Sequence, residues 1–243
     1  MKWQELAEKL LEQLQVTLSP EQSEIFYDDA DIKIIAGGEG SGKSYLNGLT
    51  ALCRSAFDML GHGPQLYWII GADFQDARKE FGFTGGKDDK YIGEWIEELG
   101  GLGTRSVTDK KCTLHTEGEM FGGHIFETIS AYDPVKIGRE QPMGIIGAEA
   151  SLWEDEVWDR VLSRLARKRP HSWGIMSGSF EDDYPAFKKY FNMGLAPNPE
   201  RIKSFSLPTW CNPALYPGGR NNPSILAREA TMSPDRFMER FAG

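Results

Sequence analysis

The run Gly37-Gly38-Glu39-Gly40-Ser41-Gly42-Lys43-Ser44 fits G-x-x-x-x-G-K-[ST], the pattern of a phosphate-cradling (Walker A) loop. Ahead of it, Ile32 to Ala36 is an apolar run that reads as a buried strand. Behind it, Tyr45 to Leu60 carries apolar residues at helical spacing. Strand, loop and helix in that order are the context the motif requires. Glycines let consecutive backbone N–H groups turn inward around a phosphate without Cβ clashes, and the helix N-terminus adds its positive dipole end. Lys43 would then reach the β- and γ-phosphates of ATP, and the Ser44 hydroxyl would hold Mg²⁺. A glycine-rich turn that happens to contain Gly-Lys-Ser is the competing reading. Chance produces the pattern in roughly 2 of 100 chains of this length, and the flanking strand and helix lower that further. Every residue from Gly37 to Ser44 is therefore a candidate nucleotide contact.

Composition sets bounds around this loop. With 243 residues the chain makes one domain with an appendage, or two small ones. At 40% hydrophobic and 26% charged residues it has a soluble composition, its apolar runs are too short for a bilayer, and no membrane partner is expected. The start, Met1-Lys2-Trp3-Gln4-Glu5, is amphipathic and acidic rather than a signal peptide, so a cytoplasmic location is expected. Cys53, Cys112 and Cys211 lie far apart and share no ligand spacing with the four histidines, which favours reduced core thiols over a metal or disulfide framework. A net charge of −9 argues against coating nucleic acid with the whole surface, but leaves room for a local basic track.

Reading outward from the loop, Trp3, Leu6, Ala7, Leu10 and Leu14 mark an amphipathic helix. Ser19-Pro20-Glu21-Gln22 restarts helix with Ser at N-cap, Pro at N1 and Gln at N3. Gln22 closes that capping box, or reads the adenine edge from just upstream of the loop, or does both. Gln65 to Ile70 reads as a strand, Ala72 to Phe81 and Tyr91 to Leu99 as helices around the loop Gly85 to Asp89, and Ser106 to Ile129 as short strands. A strand Met143 to Ile146 leads into Gly147-Ala148-Glu149-Ala150, a helix runs from about Leu152 to Lys168, and a buried strand covers His171 to Ser177. Alternating strands and helices imply an α/β fold with a mostly parallel central sheet flanked by helices. On the 152–168 helix, Arg160, Arg164, Arg167 and Lys168 gather on one side, as a DNA contact or as a solvated face neutralised by acids. Beyond residue 181 proline and glycine accumulate around a helix near Tyr184 to Phe191 and two short helices after Pro223 and Pro234. This divides the chain into a core, 1–180, and a small C-terminal subdomain, 181–243.

Hydrolysis needs a group to orient or deprotonate water and charge set against the developing phosphoryl charge. Glu149 follows a strand expected to lie parallel to the loop strand, which aims its carboxylate at the γ-phosphate. Its alternative is a surface glutamate opening the next helix, with Ser151 as cap.

Taken together, the loop Gly37 to Ser44, the segment Ile145 to Ser151, the segment Met176 to Phe180 and the late stretch Leu207 to Pro213 resemble, in order and spacing, the ATPase domain of the tailed-bacteriophage large terminase subunit. The resemblance spans most of the chain and implies a P-loop ATPase driving double-stranded DNA into a procapsid. It assigns Glu149 as the water-activating residue, Ser177-Gly178-Ser179 as the motif coupling γ-phosphate state to movement, and residues 181–243 as a lid. It also implies a subunit ring when packaging, a portal protein on the procapsid and a small terminase subunit as partners, and the cytoplasm of an infected bacterium as location. In isolation the chain is expected to be monomeric. A neighbouring subunit would contribute an arginine finger, for which Arg139 in Lys136-Ile137-Gly138-Arg139-Glu140 is the candidate; its alternative is a surface arginine beside Glu140. The family's second domain, a metal-dependent nuclease, is expected to be missing, because the sequence stops at Phe241-Ala242-Gly243, about where the ATPase part should end.

Two departures from the family pattern stand out. Ala148 occupies the place where many terminases have an acid that helps hold Mg²⁺, so that either Glu149 serves both tasks and holds the metal with Ser44, or Asp155 or another carboxylate reaches in, or hydrolysis is slow; and Glu39 replaces an arginine within the loop. An acid at Glu39 is expected to point away from a triphosphate, which leaves no arginine finger in cis from the loop. The rival readings are a helicase-like, nucleic-acid-dependent ATPase and an ATP-binding switch or assembly module that barely turns over.

Overall fold

The computed structural model describes residues 2–81, 92–108, 111–137, 139–167, 171–180 and 185–243. The expected loop Gly85 to Asp89 and the division near residue 181 lie outside them, as do Tyr91, Gly138, Lys168 and Tyr184. In chain order the described elements are α1 (Trp3–Gln13), α2 (Pro20–Tyr27), β1 (Ile32–Gly37), α3 (Lys43–His62), β2 (Leu66–Gly71), α4 (Phe74–Phe81), α5 (Ile92–Glu98), β3 (Leu102–Thr108), β4 (Lys111–Thr116), β5 (Ile125–Ser130), α6 (Pro134–Ile137), β6 (Gly144–Gly147), α7 (Asp155–Arg167), β7 (Trp173–Gly178), α8 (Pro185–Met193), β8 (Ile202–Leu207), α9 (Pro223–Thr231) and α10 (Pro234–Phe237), the last running on into a π-helical turn, Met238–Ala242.

The eight strands form one mixed sheet in the order β3-β4-β5-β2-β6-β7-β1-β8. From β5 to β8 all neighbours are parallel, while β3 and β4 add an antiparallel edge. Parallel strands need crossovers, and these put helices on both faces. The two-residue strand period then sorts the core in two. Ile32, Ile34 and Ala36 of β1 join Trp68, Ile70, Ile145 and Met176 against Trp158, Val161 and Phe187. Ile35, Tyr67, Ile69, Ile146 and Ile175 face the other way, toward α1, α2, α3 and α5.

One element departs from the sequence reading in a way that matters. Residues 202–207 fall, by composition, in a loose appendage, yet they form β8 and pair with β1 along its whole length, Ile32 opposite Ile202 through Gly37 opposite Leu207. Both faces of this edge strand are partly covered: Ile202 joins the layer of Trp158 and Phe187, Phe205 and Leu207 join the opposite layer, and Lys203 and Ser206 stay exposed. Helix α8 packs on the core as well, through Ala186, Phe187, Tyr190 and Phe191. Only the part after β8 has a small cluster of its own, Ile225, Phe237 and Phe241 with Trp210, Tyr216 and Met232 packed against it. Among the described residues no helix is long and apolar enough to cross a membrane.

Candidate functional site

Because β1, β6, β7 and β8 run parallel, their carboxyl ends share one edge of the sheet, the place where open α/β sheets bind ligands. Buried β1 ends at Gly37, and α3 begins at Lys43 with Gly42 as N-cap at φ 94° and, among the described residues, no side-chain cap on its first turn. An uncapped helix start leaves backbone N–H donors together with the positive dipole end. The Lys43 ammonium folds back over the loop and donates to the carbonyls of Gly37 at 2.8 Å and Gly38 at 3.0 Å. Ser44 lies in the first turn and is exposed, and the Ser41 hydroxyl is buried with no partner among the described residues.

The outer side of the loop is held by the C-terminal segment. Gly38 donates its N–H to the Leu207 carbonyl at 3.0 Å, and Glu39 donates to the Arg240 carbonyl at 3.0 Å. Thr209 Oγ1 donates to the Glu39 carbonyl and Asn212 Nδ2 to that of Gly40, each at 2.8 Å. A Cβ on Gly38 would meet Thr209 Oγ1 at 2.3 Å and the Phe241 carbonyl at 2.5 Å, so only glycine admits this approach. The Glu39 carboxylate accepts from Arg240 Nε at 3.0 Å. Two of the loop N–H groups expected to turn inward, those of Gly38 and Glu39, are thus spent on the C-terminal segment.

Two strands from β1, roughly 10 Å away at the usual strand spacing, β6 ends at Gly147 and leads through buried Ala148 to exposed Glu149. Glu149 has φ 46° and ψ 46°, the left-handed region, and opens a short 3-10 turn, Ala150–Leu152. Non-glycine residues held there concentrate at functional sites. The Ser151 hydroxyl is buried and accepts from the Ser179 N–H at 3.4 Å. Ser177 lies between these tips on β7 and is buried. Asn47, fully buried one turn into α3, donates from Nδ2 to Ser177 Oγ at 2.8 Å and to the Gly147 carbonyl at 3.4 Å. The structure therefore gathers Lys43, Ser44, Glu149 and Ser177 along one edge.

Gln22 forms the capping box, with Ser19 N–H on Oε1 at 3.1 Å and its own N–H on Ser19 Oγ at 3.2 Å, and Nε2 donates to the Ser41 carbonyl at 3.4 Å. Both ends of its amide are engaged by protein, so contact with a base would exchange one of these bonds. Arg139 is elsewhere. It is exposed and lines a cavity of about 230 Å³ with Trp68, Phe74, Glu127 and Lys136, over β2 and β5. Since β2 is three strands from β1, that is roughly 14 Å across the sheet from this chain's own loop. Along α7, Arg160 pairs with Glu156 at 2.6 Å, and desolvation, then Arg167 and Arg160, lower the Arg164 pKa.

Sequence reasoning passes over Asn47, Thr209, Asn212 and Arg240 as individual contacts. Asn47 has a signal, an amide one helical turn, four residues, beyond Lys43 on the same face of α3. Arg240 has none, because only the tertiary fold returns residue 240 to residue 39.

This is a mixed α/β fold whose candidate site lies where parallel strands end. Among solved structures, ATPase domains of phage large terminases share this fold. The ATPase domain of Thermus phage P74-26 large terminase is similar over 96% of this chain and 96% of its own length, with a TM-score of 0.70 and 16% identity. The large terminase of a thermophilic bacteriophage is similar at a TM-score of 0.68 and 12% identity over 93% of this chain and 53% of its own, and that protein has also been solved with ADP and with ATP-gamma-S. The HK97 bacteriophage large terminase gives a TM-score of 0.65 at 11% identity over 97% of this chain and 54% of its own. The chain thus spans about half the length of these last two proteins. No protein-family model and no curated protein matches it.

Proposed function

We propose that this chain is a P-loop ATPase that powers movement of double-stranded DNA into a viral procapsid, as the ATPase part of a large terminase subunit. The observation that carries this reading is the meeting of the uncapped α3 start, Lys43 and Ser44 with the Glu149 and Ser177 strand tips on one sheet edge. Donors from Gly40 and Gly42 into the first turn of α3 cradle the phosphates, while Gly37, Gly38 and Glu39 form the outer wall. Lys43 exchanges its loop carbonyls for the β- and γ-phosphates. The donor set suits Mg²⁺, which favours few protein oxygens together with phosphate and water: Ser44 and Glu149 would hold it, and when bound it neutralises charge developing on the phosphates. Glu149 orients the attacking water. The lid in this reading is drawn from residues 208–243, the part that stays outside the sheet. Arg139 acts on the site of a neighbouring subunit in a packaging ring, and the portal on the procapsid, the small terminase subunit and the infected cytoplasm follow from the same reading.

Phosphate release from Mg²⁺-ATP tests it. Lys43→Ala and Glu149→Gln should each abolish release while leaving the melting temperature in place, and Glu149→Gln should still bind nucleotide. Absence of release from the full-length protein even with DNA and procapsids would sink the motor. Arg139→Ala subunits should regain activity when mixed with Glu149→Gln subunits if the finger acts in trans; no recovery leaves Arg139 a surface residue. One observation favours the switch reading instead: buried Ala148 provides no second acid at the metal. A switch would bind nucleotide with turnover no faster than that of Glu149→Gln.

A further inference from the structure

We propose that Asn47 is a positioning residue that carries the state of the phosphate loop to Glu149 and Ser177. The inference rests on the nucleotide-binding reading of Gly37 to Ser44. Lys43 and Asn47 are four residues apart and so share a face of α3, one turn above the other. Asn47 is fully buried on α3, where Leu46, Leu49, Ala51 and Leu52 are buried apolar neighbours and Thr50 a second buried polar one. Its amide nitrogen meets two segments far away in the chain, Ser177 Oγ at 2.8 Å and the Gly147 carbonyl at 3.4 Å. Its Oδ1 has no partner among the described residues. An apolar side chain would fill the same space without stranding a buried acceptor, so packing alone does not account for an amide here.

Its location accounts for it. Gly147 precedes Glu149 by two residues, and Glu149 sits in a left-handed conformation that its surroundings must impose. Ala148 N–H is fixed to the Ile70 carbonyl at 2.8 Å, and the turn that follows is pressed against β7, where a Cβ on Gly178 would lie 2.7 Å from the Ser151 nitrogen. Asn47 adds the tie from this assembly to the helix that starts at Lys43. When the loop and the first turn of α3 adjust around phosphates, the Gly147 carbonyl and the Ser177 hydroxyl are the groups that receive the shift.

The test is amide hydrogen exchange and steady-state kinetics on the whole chain, with Mg²⁺ and a non-hydrolysable ATP analogue as the probe. In the wild type the analogue should slow exchange in three places, the loop, residues 147–151 and residues 177–179. Asn47→Ala should keep loop protection and analogue affinity within about threefold yet lose protection at both strand tips. Its kcat should fall on the order of 10- to 100-fold with KM unchanged, as expected for a displaced catalytic group. Ser177→Ala removes one end of the tie from a different element, so it reads the same coupling if Asn47→Ala folds poorly; protection at 177–179 should be lost. Where both fold, their effects on kcat should be strongly non-additive. A wild type that binds no analogue removes the nucleotide-binding reading and this inference with it. A wild type protected at all three places beside variants with the same protection and the same kcat overturns the inference alone.

Discussion

Gly42 shows what a single position contributes. At φ 94° it lies where L side chains are strained, and a Cβ there would stand 2.8 Å from Gln22 Nε2, the group that holds the Ser41 carbonyl. Left-handed backbone costs a non-glycine residue about 1–2 kcal/mol, so Gly42→Ala should lower the melting temperature by roughly 2–8 °C. It should also weaken nucleotide binding, read by titration with a fluorescent ADP, because Gln22 must move. Lys33 on β1 is a second informative residue. It is buried, donates to the Ile25 and Phe26 carbonyls at 2.7 and 2.9 Å, and so closes the C-terminal turn of α2. Burial, reinforced by Arg54 and only partly opposed by Asp28 and Asp29, lowers its pKa to about 7. Below that value both folded and unfolded chains hold the proton and the full burial penalty applies. As pH rises from about 7 toward 9 the folded chain releases the proton while the unfolded chain keeps it, so stability should climb by on the order of 1 kcal/mol per pH unit. Urea titrations across that window should show the climb in the wild type and lose it in Lys33→Met.

Elements with strong local patterning were legible in the sequence. The stripe Trp3 to Leu10, the Ser19-Pro20-Gln22 cap and the strand-loop-helix around the glycines all formed where their spacing put them. What stayed hidden depended on partners distant in sequence. Ile202 to Leu207 alternates only over its last three residues, the prolines around it read as loop, and its status as a strand is settled by the open edge of β1. Strand β3, exposed along nearly its whole length, likewise exists through its pairing with β4. Helix α7 starts later than expected because the left-handed turn at Glu149 and the 3-10 turn after it take up the first residues. Of the candidate site, the motif residues were readable, and the bonds that hold the loop from outside were not. Those bonds can be ranked. The Glu39–Arg240 pair is exposed, so Glu39→Ala should cost less than about 1 kcal/mol. Thr209 is fully buried and its hydroxyl serves the Glu39 carbonyl, so Thr209→Val should cost more, about 1–2 kcal/mol. Chemical denaturation of the two variants checks the order.

Across the whole molecule, two apolar layers enclose the sheet and keep reactive groups out of water. Cys53, Cys112 and Cys211 are all free and buried, and burial pushes the Cys53 thiol up to about 12 and Cys211 up to about 11, the latter helped by Glu21. Because the thiolate is the reactive form, native protein should take up almost no iodoacetamide in an hour at pH 8, and three equivalents once unfolded, counted by intact mass.

The strand order also sets a schedule for synthesis. β1 is made early, yet both strands that flank it, β7 and β8, are made late, and the carbonyl that receives the Glu39 N–H comes later still, at Arg240. On a ribosome adding roughly 5–20 residues per second, the nascent Ile32 to Gly37 stretch stays without its neighbours for on the order of ten seconds. A nascent chain stalled at residue 170 should therefore bind no nucleotide, and the loop edge of this fold is finished only as its last strand docks and the C-terminal segment returns to hold it.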